Sequence, residues 1–177
     1  MERQELAKRI FDIASITGEF KLRSGITSDR YFDKYRFEAQ PELLKAITEH
    51  MAPLIPPSAD VLAGLEMGGI PIATMLSQVT GIPTCFVRKE AKAYGTCQFA
   101  EGVDIKGKRV VVVEDVVTSG GQAILSTTDL RSAHAKIEDI VCVIDREQGG
   151  TQKLETAGLK LKALFTRSEL ESAGTVS

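Results

Sequence analysis

The sequence predicts an α/β fold, a parallel sheet flanked by helices on both faces, and three observations carry that expectation. Short apolar runs such as 61–64, 84–87 and 110–113 supply candidate strands, the last of them four consecutive valines. Helical patterns of roughly 10–13 residues alternate with them. The strand runs are nearly continuous in apolar character, as suits strands buried on both faces. A length of 177 residues fits one compact domain. Within it, residues 1–40 read as an N-terminal helix and small hood region and 41–177 as the α/β core.

Taken in order, Leu6, Ile10, Ile13 and Ala14 recur at helical spacing between Glu2 and Thr17, with Gly18 as the stop. Phe20 and Leu22 then alternate before a turn at Ser24 and Gly25. A second strand-like run extends from Arg30 to Phe37, so a hairpin is expected beside the main core. Pro41 suits a first helical position, and Leu43, Leu44, Ile47, Met51 and Leu54 mark one face of a helix ended by Pro56 and Pro57. Strand 61–64 leads to a helix from about Ile70 to Thr80, stopped by Gly81. Strand 84–87 runs into a polar loop from Arg88 to about Gly102. The turn Lys106-Gly107-Lys108 precedes strand 109–115, a loop, and a helix from Gln122 to about His134. Strand 137–144, the loop Asp145–Gly150, a short helix and strand 159–165 complete the pattern.

Composition excludes several function classes. With 22 Lys and Arg against 24 Asp and Glu, the net charge of -2 argues against a nucleic-acid coat or an anionic-membrane binder. The longest apolar runs fall far short of the ~20 residues that span a bilayer. The first residues mix charges into a helical pattern and lack the apolar stretch of a signal peptide. Cys85, Cys97 and Cys142 form no C-x-x-C and read as reduced thiols, and His50 and His134 are too few for a zinc site. No G-x-S-x-G elbow is present. A cytoplasmic protein is expected.

Ligands of such folds bind beyond the carboxyl ends of the strands, and there the sequence is most specific. Four valines, 110–113, make a buried central strand that ends in Glu114 and Asp115. Thr118, Ser119, Gly120 and Gly121 then open a helix, where small residues let backbone amides approach a phosphate at the positive helix end. Acids that accept sugar hydroxyls beside amides that hold a phosphate suit a sugar phosphate. A buried strand followed by a capped helix would explain Thr118, Ser119 and the glycines. It leaves Glu114 and Asp115 unexplained, because adjacent like charges repel and need a ligand or metal to justify them. The segment is neither a Walker A loop nor a dinucleotide fingerprint, since no G-K-[ST] or G-x-G-x-x-G occurs.

The segment Val110–Gly121 resembles the 5-phosphoribosyl-1-diphosphate (PRPP) motif of the type I phosphoribosyltransferases. Three more segments resemble orotate phosphoribosyltransferase: Arg88–Thr96 its catalytic loop, Phe20–Tyr35 its orotate-side segment, and Ile144–Gly150 its substrate-binding strand end. Together they run from Phe20 to Gly150 in the family's order. The resemblance implies the Rossmann-like type I phosphoribosyltransferase fold with a small N-terminal hood. It implies transfer of phosphoribose from PRPP to orotate in UMP biosynthesis, Mg²⁺ carried mainly through PRPP, and a homodimer in which loop 88–102 is shared between subunits. The motif also occurs in transferases for other bases and in PRPP-binding regulators, so those two alternatives stay open. A chain of this length is expected to leave the following decarboxylation to another protein.

The resemblance also assigns roles. PRPP would be held by Arg88, Lys89, Lys92, Glu114, Asp115, Val116, Val117, Thr118, Ser119, Gly120, Gly121 and Gln122, with Lys89, Lys92 and Asp115 catalytic. Orotate would meet Arg23, Tyr31, Phe32, Thr118 and Arg146. The residue chemistry agrees: three cations within 88–92, followed by Gly95 as a hinge, can close over a departing pyrophosphate. A solvated basic loop is the plainer account of those cations taken alone. Arg146 can bind a carboxylate in bidentate fashion, or pair with Asp145 or Glu147 at the surface. Some relatives carry Lys at the positions of Arg23 and Gly68, and His at that of Tyr94. Residues 86–109 carry a net +3 and residues 18–36 a net +2, so the overall negative charge conceals cationic segments fit for small anions.

Overall fold

The computed structural model describes residues 1–21, 25, 27–90 and 99–175. Helix α1 (Arg3–Ala14) leads into an antiparallel pair, β1 (Ser15–Lys21) and β2 (Thr27–Phe32). A single-turn helix, α2 (Tyr35–Glu38), follows before α3 (Pro41–Met51), which has proline in its first turn as expected. The remaining elements alternate: β3 (Val61–Leu65), α4 (Gly69–Thr80), β4 (Thr84–Val87), β5 (Ala100–Gly102), β6 (Val110–Val117), α5 (Gly121–Ser132), β7 (Asp139–Asp145), α6 (Gly150–Thr156), β8 (Lys160–Thr166) and α7 (Arg167–Thr175).

Among the described residues the main sheet has the order β5-β4-β3-β6-β7-β8, and every pair except the antiparallel β4–β5 is parallel. Its central strands β3, β6 and β7 are buried on both faces. On one side Leu62, Val111 and Val113 pack with Ile10, Leu43, Ile47, Ile72 and Phe165. On the other, Val61, Ala63, Val110 and Val112 pack with Leu130, Leu154 and Leu159. Gly81 ends α4 in the left-handed conformation (φ 73°), which a Cβ would disfavour.

Three boundaries and two elements differ from the sequence expectation. Helix α1 stops at Ala14, three residues early, because Ser15–Lys21 pairs with β2 and the Asp33 amide donates to Ala14 O. The second hairpin strand ends at Phe32, and Tyr35–Glu38 is helical, a turn that turns Phe37 into the core. Strand β6 continues through Val117 because Val116 and Val117 pair with Ile144 and Asp145. Strand β5 and helix α7 were not anticipated. The first has three residues, formed by pairing with β4, and the second is polar apart from buried Leu170. Helix α7 packs on α1 closely enough that a Cβ on Gly174 would overlap the Phe11 ring.

Strand order reverses between β3 and β6. The chain runs outward from β3 to β4, then returns to place β6 on the other side of β3. Loops leaving the carboxyl ends of such a pair diverge and open a crevice, the usual ligand position in an open α/β sheet.

Candidate active site

Both sides of that crevice are built tightly. From β3 the loop Glu66–Gly68 enters α4, and here the chain passes so close to β6 that a side chain at Gly68 or Gly69 finds no room as the groups stand. A Cβ on Gly69 would overlap the carbonyl oxygen of Val113, and one on Gly68 would overlap the Asp115 carboxylate. From β6 come Glu114 and Asp115. Asp115 is 1% exposed, and one of its oxygens accepts the Val116 amide. The other is ion-paired with the ammonium of Lys34, which stands between β2 and α2.

A second buried acid joins this pair. Glu38, one helical turn after Lys34 and 8% exposed, lies beside Asp115. Burial, then the negative charge of Asp115, push the Glu38 carboxyl up to about 8. The same two causes raise Glu114 to about 8, with Lys34 opposing them. Burial works against the Lys34 ammonium, but its hydrogen bond and charge pairing with Asp115 outweigh that and raise its pKa. Glu38 and Glu114 therefore hold their protons well above the usual carboxylate range.

This has a consequence for stability. The folded chain keeps the Glu38 proton up to about pH 8, whereas the unfolded chain releases it near 4.5. Stability contributed by this group therefore falls as pH rises from 4.5 towards about 8. Glu38→Gln should unfold at a higher temperature than the parent above this window, with the margin shrinking towards its acid end. A thermal-melt margin independent of pH would contradict the assignment.

The loop after β6 has the expected form. Thr118 and Ser119 are exposed, Gly120 is left-handed (φ 73°), and Gly121 and Gln122 begin α5. The first amides of that helix lack intrahelical acceptors, which suits an anion. Gln122 donates to Ser126 Oγ at 3.3 Å. The loop after β7 leans against this one. The Arg146 amide donates to Val117 O at 2.9 Å, and a Cβ on Gly150 would come within 2.7 Å of Thr118 O.

Tyr31, Phe32 and Arg146 line one cavity of about 340 Å³, together with Phe11, Gln148 and Arg167. Two aromatic residues of the hood and a strand-end guanidinium, far apart in sequence, thus face a common space. Thr118 belongs to the neighbouring exposed loop. Arg167 is a guanidinium at this cavity that sequence reasoning missed, and it pairs with Glu171 at 2.7 Å.

On the remaining side, the Arg88 amide donates to Phe99 O at 3.0 Å, and its guanidinium lies 3.6 Å from Glu101. The Lys89 amide donates to the Glu66 carboxylate at 3.1 Å, tying the start of the cationic loop to the β3 loop. Arg23, Lys92, Tyr94 and Gly95 lie outside the described residues. Lys34 lies inside the segment Phe20–Tyr35 but had no role assigned from the sequence, and neither had Glu38; their approach to Asp115 marks them.

Known proteins resemble this chain in sequence and in fold. The family profile of the phosphoribosyl transferase domain matches residues 35–162. Orotate phosphoribosyltransferase of a Nocardioides species is 48% identical over 168 residues, covering 95% of this chain and 94% of that protein. The crystal structure of Mycobacterium tuberculosis orotate phosphoribosyltransferase in complex with Fe(III) dicitrate superposes with a TM-score of 0.86 at 30% identity, covering 95% of this chain and 98% of that one. The same enzyme in complex with PRPP gives 0.82 at 27% identity, covering 96% and 98%. A domain match across most of the chain, and near-half identity over almost all of it, mean that this chain belongs to the orotate phosphoribosyltransferase family.

Proposed function

We propose that this chain transfers the 5-phosphoribosyl group from PRPP to orotate, giving orotidine 5'-monophosphate and pyrophosphate in pyrimidine biosynthesis. The observation that carries this reading is what the carboxyl ends of the neighbouring strands β6 and β7 bring together: an acidic pair ending β6, an amide-rich loop opening α5, and a cavity lined by Tyr31, Phe32 and Arg146. The loop 118–122 would take the 5-phosphate, Glu114 and Asp115 the ribose hydroxyls, and Arg146 the orotate carboxylate. Tyr31, Phe32 and Arg23 would cover the flat anionic ring.

Breaking the bond between ribose C1 and the diphosphate sends its electron pair to pyrophosphate and leaves oxocarbenium character at C1. N1 of orotate captures that carbon, and its proton passes to solvent. No covalent enzyme nucleophile is needed. Positioning of the two substrates and neutralisation of the leaving group by Arg88, Lys89 and Lys92 supply the catalysis.

Among the described residues, no three His, Cys, Asp or Glu side chains cluster as a metal cage. Magnesium needs only one or two carboxylates when it comes with substrate phosphates, and Glu114 would fit that role once the metal displaces the proton that burial and Asp115 hold on it. Bound with PRPP, it would lower the charge of the departing diphosphate. We also read the protein as a cytoplasmic homodimer sharing loop 88–102. Among the described residues no helix is long and apolar enough to cross a membrane, and gel filtration tests the dimer.

Incubation with labelled orotate, PRPP and Mg²⁺ should yield orotidine 5'-monophosphate. Turnover of hypoxanthine or uracil with none of orotate would instead identify a transferase for another base, and PRPP binding without turnover a regulator. Lys92→Ala should lower kcat by about 10²-fold or more while PRPP affinity changes by less than about threefold. Equal losses in both would remove Lys92 from the leaving-group role.

A further inference from the structure

We propose that Lys34 is a positioning residue for PRPP, holding the Asp115 carboxylate in the orientation that the ribose site requires. The inference rests on reading the end of β6 as a PRPP site, and goes beyond it by adding a residue from the N-terminal hood.

Asp115 is fixed from three directions. Its one oxygen takes the Val116 amide, its other takes the Lys34 ammonium, and the backbone of Gly68 closes the space beside the second oxygen. Only the lysine among these can be changed without touching the backbone. Lys34 approaches with its side chain 32% exposed, so the pair is open to solvent at the lysine end and buried at the Asp115 end. Its ammonium also lies 5.1 Å from the Tyr35 ring centroid, within reach of a cation–π contact. The groups facing it are Asp115, Glu114 and Tyr35, with Glu38 and Asp33 close by on the same segment.

A buried ion pair is a poor device for stability, since well-packed apolar residues serve as well or better. Keeping one at a strand end makes sense where the orientation of the acid matters. The location adds a second effect. Lys34 follows Phe32 by two residues, and Phe32 lines the cavity assigned to orotate. The wall of the base site and the acid of the ribose site are thereby joined through one side chain. Lys34 itself touches Asp115 and takes no part in bond breaking.

The test compares Lys34→Met and Lys34→Arg with the parent chain. Lys34→Met should raise both the PRPP KM and the PRPP dissociation constant from calorimetry by about tenfold or more, with the orotate KM within about twofold. Lys34→Arg, which keeps the charge, should stay within about threefold for PRPP. Should Lys34→Met not fold, Lys34→Gln, a shorter and neutral side chain that removes the charge pairing with Asp115 while staying polar, is read with the same expected split. A lowered unfolding temperature with the PRPP constants unchanged, or equal losses for PRPP and orotate, would overturn the proposal. A parent chain that makes no orotidine 5'-monophosphate would count against the functional reading alone. PRPP calorimetry on parent and variants would still decide the part played by Lys34.

Discussion

Gly68→Ala is expected to lower kcat/KM for PRPP by about 10²-fold or more, because a methyl group there displaces the Asp115 carboxylate. The added carbon would overlap the Asp115 oxygen that pairs with Lys34 and stand 3.0 Å from Asp115 Cβ. A flexible surface side chain would swing aside. Asp115 cannot, since it is 1% exposed and its other oxygen is held by the Val116 amide. Either the carboxylate turns and breaks its pair with Lys34, or the loop Glu66–Gly68 moves outward from β6. Both outcomes shift groups at the switch point by an ångström or so, which commonly costs about 10²-fold in rate. Steady-state kinetics with PRPP varied would check this. A value within threefold of the parent would mean that Asp115 takes no part in PRPP recognition.

Phe37→Ala should destabilise the fold by about 3–5 kcal/mol, the usual cost of truncating a fully buried phenylalanine. Phe37 is 0% exposed, joins the core formed by α1 and α3, and lies 6.5 Å from the Phe32 ring. It is the side chain that anchors α2, a helix of one turn that has no side-chain cap of its own. Because Lys34 and Glu38 flank it, the truncation should also raise the PRPP KM at temperatures where the chain remains folded. Denaturant unfolding measures the first effect, as a lower midpoint at unchanged slope. A loss below about 1 kcal/mol would show that α2 is held by something other than this ring.

Much of the α/β core was legible because its signals are local. Proline opening α3, glycine stopping α4 and the valine run of β6 are each contained within a few consecutive residues. The acidic pair and the Thr118–Gly121 loop were legible for the same reason. Adjacent charges at the end of an apolar strand conflict with burial unless something answers them. Strand β5 and helix α7 escaped because neither carries a pattern of its own. Ala100–Gly102 is extended only through its pairing with β4, and α7 offers one buried leucine and an Arg167–Glu171 pair. The early end of α1 belongs with them, since the helical pattern runs on to Thr17 and only the partner strand β2 recruits Ser15–Lys21.

By itself the sequence determined the class of fold and the chemistry offered at the carboxyl end of β6, since both depend on residue types at short spacing. It also marked Tyr31, Phe32 and Arg146 as ligand candidates, through likeness to a family. Only the tertiary structure decided that those three line one cavity, and that Asp115 is buried under Lys34 with Glu38 beside it. It alone shows that a side chain at Gly68 would meet the Asp115 carboxylate. The physical reason is common to all of these. An ion pair, a shared proton or a steric limit between distant segments has no periodicity along the chain, and arises only when the hood is folded onto the sheet.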